Sequence, residues 1–171
     1  LNKSLFAGLI GFVAVALFMI LFYRLPGVLA VLALILYTFI TLTIFKMIPV
    51  TLTLAVIAGF ILSIGMAVDA NVLIFERTKE ELRRGLSIAQ ALNEGFARAW
   101  LSIRDSNASS LITCVILVWF GASSVKGFAI TLAIGILVSM FSAIMVTRVL
   151  LHLVGPWIKN TQWFLGGAKK E

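Results

Sequence analysis

Five stretches of the chain are almost free of charge. Leu5–Tyr23 and Val28–Phe45 carry none, Ile48–Phe75 carries only Asp69, and Ser106–Val125 and Gly127–Thr147 carry none. About 20 apolar residues at about 1.5 Å each cross the hydrocarbon core of a bilayer, about 30 Å thick. The pattern therefore predicts an all-α integral membrane protein with five transmembrane helices, at about 5–23, 28–45, 50–75, 105–125 and 127–149. No segment is polar enough to cover these helices in water. The apolar/polar dyads of a membrane β-barrel are missing as well.

The connections are uneven. Arg24–Gly27 and Lys46–Val50, the latter with Pro49, read as tight turns, and the fourth and fifth spans meet near Ser123–Lys126. Only residues 76–101 form a long polar stretch, and it is patterned. Glu76–Arg84 continues the third span into water and Gly85 stops it. Ser87 followed by Gln90 is a capping-box signature. Ile88, Ala91, Leu92, Gly95, Phe96 and Ala99 then share one helical face. This predicts an amphipathic helix at the cytoplasmic membrane surface, serving as a connector or as a docking face for a cytoplasmic partner. The bundle is expected over 1–155, and an interfacial tail with Pro156, Trp157 and Trp163 over 156–171. Small residues recur at every fourth position in two spans. Gly59, Ser63, Ala67 and Asn71 form one stripe; Gly135, Ser139, Ala143 and Thr147 form the other. Such stripes let helix backbones approach closely inside a bundle.

Composition agrees: 61% of residues are apolar and 12% charged, against about 45–50% and about 25% in soluble domains. The net charge of +7 lacks the polar, aromatic-interleaved surface of nucleic-acid binding, so no nucleic-acid partner is expected. One cysteine, Cys114, and one histidine, His152, exclude a disulfide framework and clustered metal ligands. No nucleophile–base set or phosphate loop points to an enzyme, and no cofactor or metal is expected. Charge does set an orientation. Arg24, Arg77, Lys79, Arg83, Arg84, Arg98, Arg104, Arg148, Lys159, Lys169 and Lys170, eleven in all, fall on one side of the predicted topology. Lys3, Lys46 and Lys126, three, fall on the other. The eleven-rich side is expected to be cytoplasmic, with the N-terminus outside and the C-terminus inside. An outside terminus starting at Leu1 without a signal pattern is expected to follow an upstream span, in the C-terminal membrane half of a longer protein.

Asp69 stands apart from this solvated charge. It lies six residues before Phe75, about 9 Å inside the span. An Asp at mid-span costs roughly 2.5–3.5 kcal/mol, less near the interface, so it should face protein or a water-filled cavity. Proton or ion handling is one reading; a structural hydrogen bond or a salt bridge to a partner chain is the other. The next span carries Arg104, Asp105 and Asn107 at comparable depth. Residues two apart on a helix point about 200° apart. Asp69 and Asn71 therefore cannot face one point, and neither can Asp105 and Asn107. An Arg104–Asp69 pair would need close helices and an inward-reaching arginine; an interfacial arginine is the alternative.

Gly65-Met-Ala-Val-Asp-Ala-Asn-Val-Leu-Ile-Phe-Glu-Arg77 and Lys126–Phe141 with Thr147-Arg148 resemble the SecD family of protein-export membrane subunits. Tyr23–Gly27 and Glu94–Phe96 fit as well. The resemblance runs in order along nearly the whole chain. It implies half of an RND-like membrane domain, preceded by a span and a large extracytoplasmic domain, in the bacterial cytoplasmic (inner) membrane. The implied partners are a SecF-like subunit, the SecYEG channel, the unfolded exported polypeptide and the lipid bilayer. The implied activity is coupling of the proton-motive force to late translocation, with Asp69 as proton relay and Asn71, Arg104, Asp105 and Asn107 as supporting polar residues. Ser106, Ser109 and Ser110 depart from the family's Ala and Thr-Thr but keep small size or hydroxyl. One Asp with hydroxyls nearby suits a proton or sodium. A structural scaffold beside the channel, with Asp69 as an assembly hydrogen bond, and an RND-type exporter of lipids or small molecules are the alternatives.

Overall fold

The computed structural model describes residues 2–48, 51 and 53–155. The expected turn at Pro49 and the expected tail from Pro156 lie outside them. All regular structure among the described residues is helical: α1 (Asn2–Met47), α2 (Leu54–Arg83), α3 (Ile88–Phe120), α4 (Ser123–Phe141), a π-helical segment (Ser142–Thr147) and α5 (Arg148–Val154). Four runs are long and apolar enough to cross a bilayer: Phe6–Met47, Leu54–Arg83, Ile88–Phe120 and Ser123–Val154.

Five separate spans were expected, and the first two are joined in α1. The break between them is the single residue Arg24, at φ 48° and ψ −115°, so helical hydrogen bonding runs up to it from both sides without an intervening loop. The chain turns back sharply there. A Cβ on Gly27 would lie 2.6 Å from the carbonyl carbon of Met19 and 3.1 Å from Ile20 Cα, whereas residues eight apart in a straight helix are about 12 Å apart. Gly27 is thus required for close approach. Pro26 sits in the first turn of the second arm, where its missing N–H costs no helical bond. Further along, Gly8 and Phe12 of one arm and Thr38 of the other line one cleft with α2, so the arms lie side by side.

The α2–α4 contact is the tightest in the bundle, and the two small-residue stripes make it. Gly59, Ser63, Ala67 and Asn71 are all buried, as are Gly135, Ser139, Ala143 and Thr147. A Cβ on Gly59 would come 2.7 Å from the Phe128 carbonyl oxygen, and one on Gly135 would collide with the Ser63 side chain. The two helices run parallel, and Tyr37 of α1 closes the layer with a 2.6 Å hydrogen bond to Ser63.

Helix α3 also differs from expectation. The amphipathic segment and the fourth span form one helix from Ile88 to Phe120, about 50 Å long at the helical rise. A single unbroken helix cannot lie flat on a membrane and also cross it. The predicted apolar face is buried as expected, but against protein: Ala91, Leu92, Phe96 and Ala99 share a core cluster with Phe75 and Leu82 of α2 and Leu151 of α5. Gly95 lets the antiparallel α2 approach until a Cβ there would meet Thr78 Cα at 2.8 Å. The capping box at Ser87 and Gln90 forms as predicted, and Gly85, at φ +89°, ends α2 in the left-handed region.

This charged end of the bundle is tied by ion pairs. Glu81, with its side chain only 4% exposed, lies 3.1 Å from Arg84 and 3.0 Å from Arg98, linking α2 to α3. Lys79 sits 4.3 Å above the Tyr23 ring, which in turn packs against Phe75. The end of the first α1 arm is thereby held to the part of α2 that extends past the apolar run.

Candidate functional site

The 3.6-residue period of α2 separates Asp69 from Asn71 as the sequence requires. Asn71 is buried and accepts a 2.8 Å hydrogen bond from the Thr147 hydroxyl. Asp69 is on the exposed side of the same helix. Leu62 and Gly65 precede it on that face, and a Cβ on Gly65 would meet nothing within 4 Å among the described residues. The carboxylate thus stands on an open, otherwise apolar strip, two residues from a buried clamp between helices.

Helix α3 divides in the same way. Asn107 is buried, while Arg104 and Asp105 are exposed and pair with each other at 2.9 Å. Arg104 therefore neutralises its neighbour, and no Asp69–Arg104 pair forms. Ser110 and Thr113 hydroxyls donate to the carbonyls of Ser106 and Ser109 at 3.1 Å each. Such bonds within the helix satisfy hydroxyls in apolar surroundings. Of the sequence-predicted residues, the structure buries Asn71 and Asn107 and leaves Asp69, Arg104 and Asp105 outward.

The π-helical segment is the feature sequence reasoning missed. Ser142 at its start donates to the Ala33 carbonyl of α1 at 3.3 Å, and Thr147 at its end donates to Asn71 of α2. One wide turn therefore holds both neighbouring helices, and such turns occur often at functional sites. Of its two anchoring hydroxyls only Thr147 belongs to the small-residue stripe, which reads as packing. No group of three or more His, Cys, Asp or Glu could hold a metal among the described residues.

The comparison with known families decides what this bundle is related to. The model of the SecD/SecF protein-export membrane protein, C-terminal, matches residues 1–156. The chain belongs to this family. It is 61% identical over 99% of its length to the protein translocase subunit SecD of Thermobaculum terrenum, and 55% identical over 90% to SecD of Synechocystis. It covers 34% and 33% of those proteins, so the chain spans about a third of the relatives' length. The crystal structure of SecDF from Thermus thermophilus, a translocon-associated membrane protein, superposes with a TM-score of 0.88 at 38% identity. That match covers 91% of this chain and 22% of the other. SecD is thus the branch to which the sequence is similar, and the helical architecture is that of the SecDF membrane region.

Proposed function

We propose that this bundle couples an ion gradient to protein export, with Asp69 as the proton relay. The carrying observation is the position of Asp69: a carboxylate on the open face of an apolar helix, two residues along from Asn71, which is clamped to Thr147 on the opposite face. A carboxylate is costly against lipid, so that face is read as the seam to a SecF-like subunit. In the neutral form Asp69 packs or hydrogen-bonds across the seam; in the ionised form it draws in water or a cation. The two states favour different fits of the two halves, which would move an attached extracytoplasmic domain holding the exported polypeptide beside the SecYEG channel. The driving ion is read as a proton, with sodium as the chemical alternative. Asn71 and Asn107 support the site from inside, and Arg104 and Asp105 set the charge on α3.

The two arms of α1 are read as separate crossings, giving five in all. The excess of arginine and lysine at the end holding Arg77, Arg98 and Arg148 supports a cytoplasmic placement of that end. This puts the subunit in the bacterial inner membrane with the first residues of the chain outside.

The test is Asp69→Asn in the full-length subunit. The variant should assemble with its SecF-like partner yet lose the stimulation of export by a proton gradient. Full stimulation in an assembled Asp69→Asn complex sinks the relay and favours the scaffold reading.

A further inference from the structure

A cleft of about 270 Å³ opens at the charged end between α3, Ile74 of α2 and the α4–π–α5 run. Its α3 wall is a single helical stripe: Asn93, Phe96, Trp100 and Ile103. From Asn93 to Ile103 this stripe rises about 15 Å at the helical rise. Across from it stand the half-buried Ile144 and, one turn on, the exposed Arg148, level with the exposed Asn93 at the open end. The cleft therefore grades from apolar at depth, through an indole, to an arginine and an amide at its mouth.

Arg148 is the one cation lining the cleft, and it forms no ion pair among the described residues. Its guanidinium carbon lies 5.8 Å from the Phe96 ring centroid, a cation–π distance that holds the fork at the wall. The nearest acid in sequence on the facing helix, Glu94, projects about 100° around α3 from Asn93. The mouth is thus positive and the floor greasy.

We infer that this cleft binds an anionic phospholipid from the adjacent leaflet. Arg148 pairs with the phosphate, Asn93 hydrogen-bonds the headgroup, Trp100 lies at the glycerol level, and the first part of an acyl chain follows Ile103 and Ile144. The charge at the mouth and the depth-ordered change in polarity match that chemistry. A free anion would leave the apolar floor unused, and a zwitterionic lipid, whose phosphate is offset by its own ammonium, would leave the positive charge of Arg148 uncompensated. The volume takes a headgroup and the start of one chain, not a whole lipid. The inference needs only that this end meets a bilayer surface and does not depend on the role of Asp69.

The experiment reads the fluorescence of Trp100, taken as the difference between the full-length subunit and its Trp100→Phe variant. Both are reconstituted in phosphatidylcholine vesicles. Brominated phosphatidylglycerol should quench that component at a mole fraction about five-fold lower than brominated phosphatidylcholine does, the preference of one basic residue at a membrane surface. Arg148→Gln should erase the preference. Asn93→Asp, an exposed substitution that adds charge at the mouth without touching the packed residues, should erase it too. Equal quenching by the two lipids in the native subunit overturns the inference, as does a preference that survives Arg148→Gln. Failure of either lipid to quench Trp100 would mean that protein fills the cleft, and overturns it as well.

Discussion

The two faces of α2 use nearly the same residues to opposite ends. Inward, Gly59 meets the α4 backbone, Ser63 lies against Gly135, and the one amide of the stripe, Asn71, is bonded to Thr147 of the π-helical segment. Outward, Leu62, Gly65 and Asp69 are exposed, and a Cβ on Gly65 would meet nothing within 4 Å among the described residues. Each face has a glycine and a polar side chain. On one face the glycine is a contact and the amide is satisfied; on the other the glycine is a gap and the carboxylate has no partner among the described residues. Residue type does not distinguish packing from function here. The helical phase does, together with what the opposite helix supplies.

If the inward face is held by close approach, filling it should cost the most. Gly135→Val places a side chain where Ser63 already sits and within 3.0 Å of the Tyr37 hydroxyl. Overpacking of this kind costs about 3 kcal/mol. Thermal denaturation in detergent should show a large drop in midpoint; an unchanged midpoint would mean the stripes do not bear on each other.

A smaller effect is expected from the clamp. Thr147→Val keeps the shape but removes the donor to the buried Asn71 oxygen, at a cost of about 1–2 kcal/mol. Adding Asn71→Leu should recover much of that loss, because no buried acceptor then lacks a donor. If the double variant is less stable than the single, Asn71 has a partner other than Thr147.

Much of this architecture was legible because it depends on period alone. The stripes at every fourth residue, the opposed directions of Asp69 and Asn71, the Ser87–Gln90 cap and the stop at Gly85 all follow from local chemistry. Three features did not. The continuity of α3 depends on the extension of α2 over 76–84 covering Leu92 and Phe96; the extension itself is legible, but as a solvated helix, because its polar residues give no sign of the face that packs on α3. The turn between the first two spans was expected over Arg24–Gly27, but the strained residue is Arg24, and Gly27 serves close approach to Met19. The π-helical segment has no local signature in Ser142–Thr147; it arises where hydroxyls must meet Ala33 and Asn71 on two different helices. At the site, the sequence placed Asp69 within a span. It could not say that Arg104 would pair with Asp105 instead, since that depends on side-chain geometry on one turn of α3.

The smallest effect expected is also the sharpest test of the difference between the two faces. Gly65 lies four residues from Asp69, with open space where a Cβ would go. In this chain alone Gly65→Ala removes only the conformational freedom of a mid-helix glycine, so it should stabilise the bundle by about 0.5–1 kcal/mol. Against a second helix packed at close range, the same methyl has no room. A modest rise in the melting temperature of the separate subunit, together with weaker association with a SecF-like partner, would establish that the open face is a seam closed by another chain. Stabilisation with undiminished association would place Gly65 against lipid and move the seam off this strip. Asp69 would then need a water-filled path on its own side of the bundle, because a carboxylate facing hydrocarbon without water or a partner is too costly to keep.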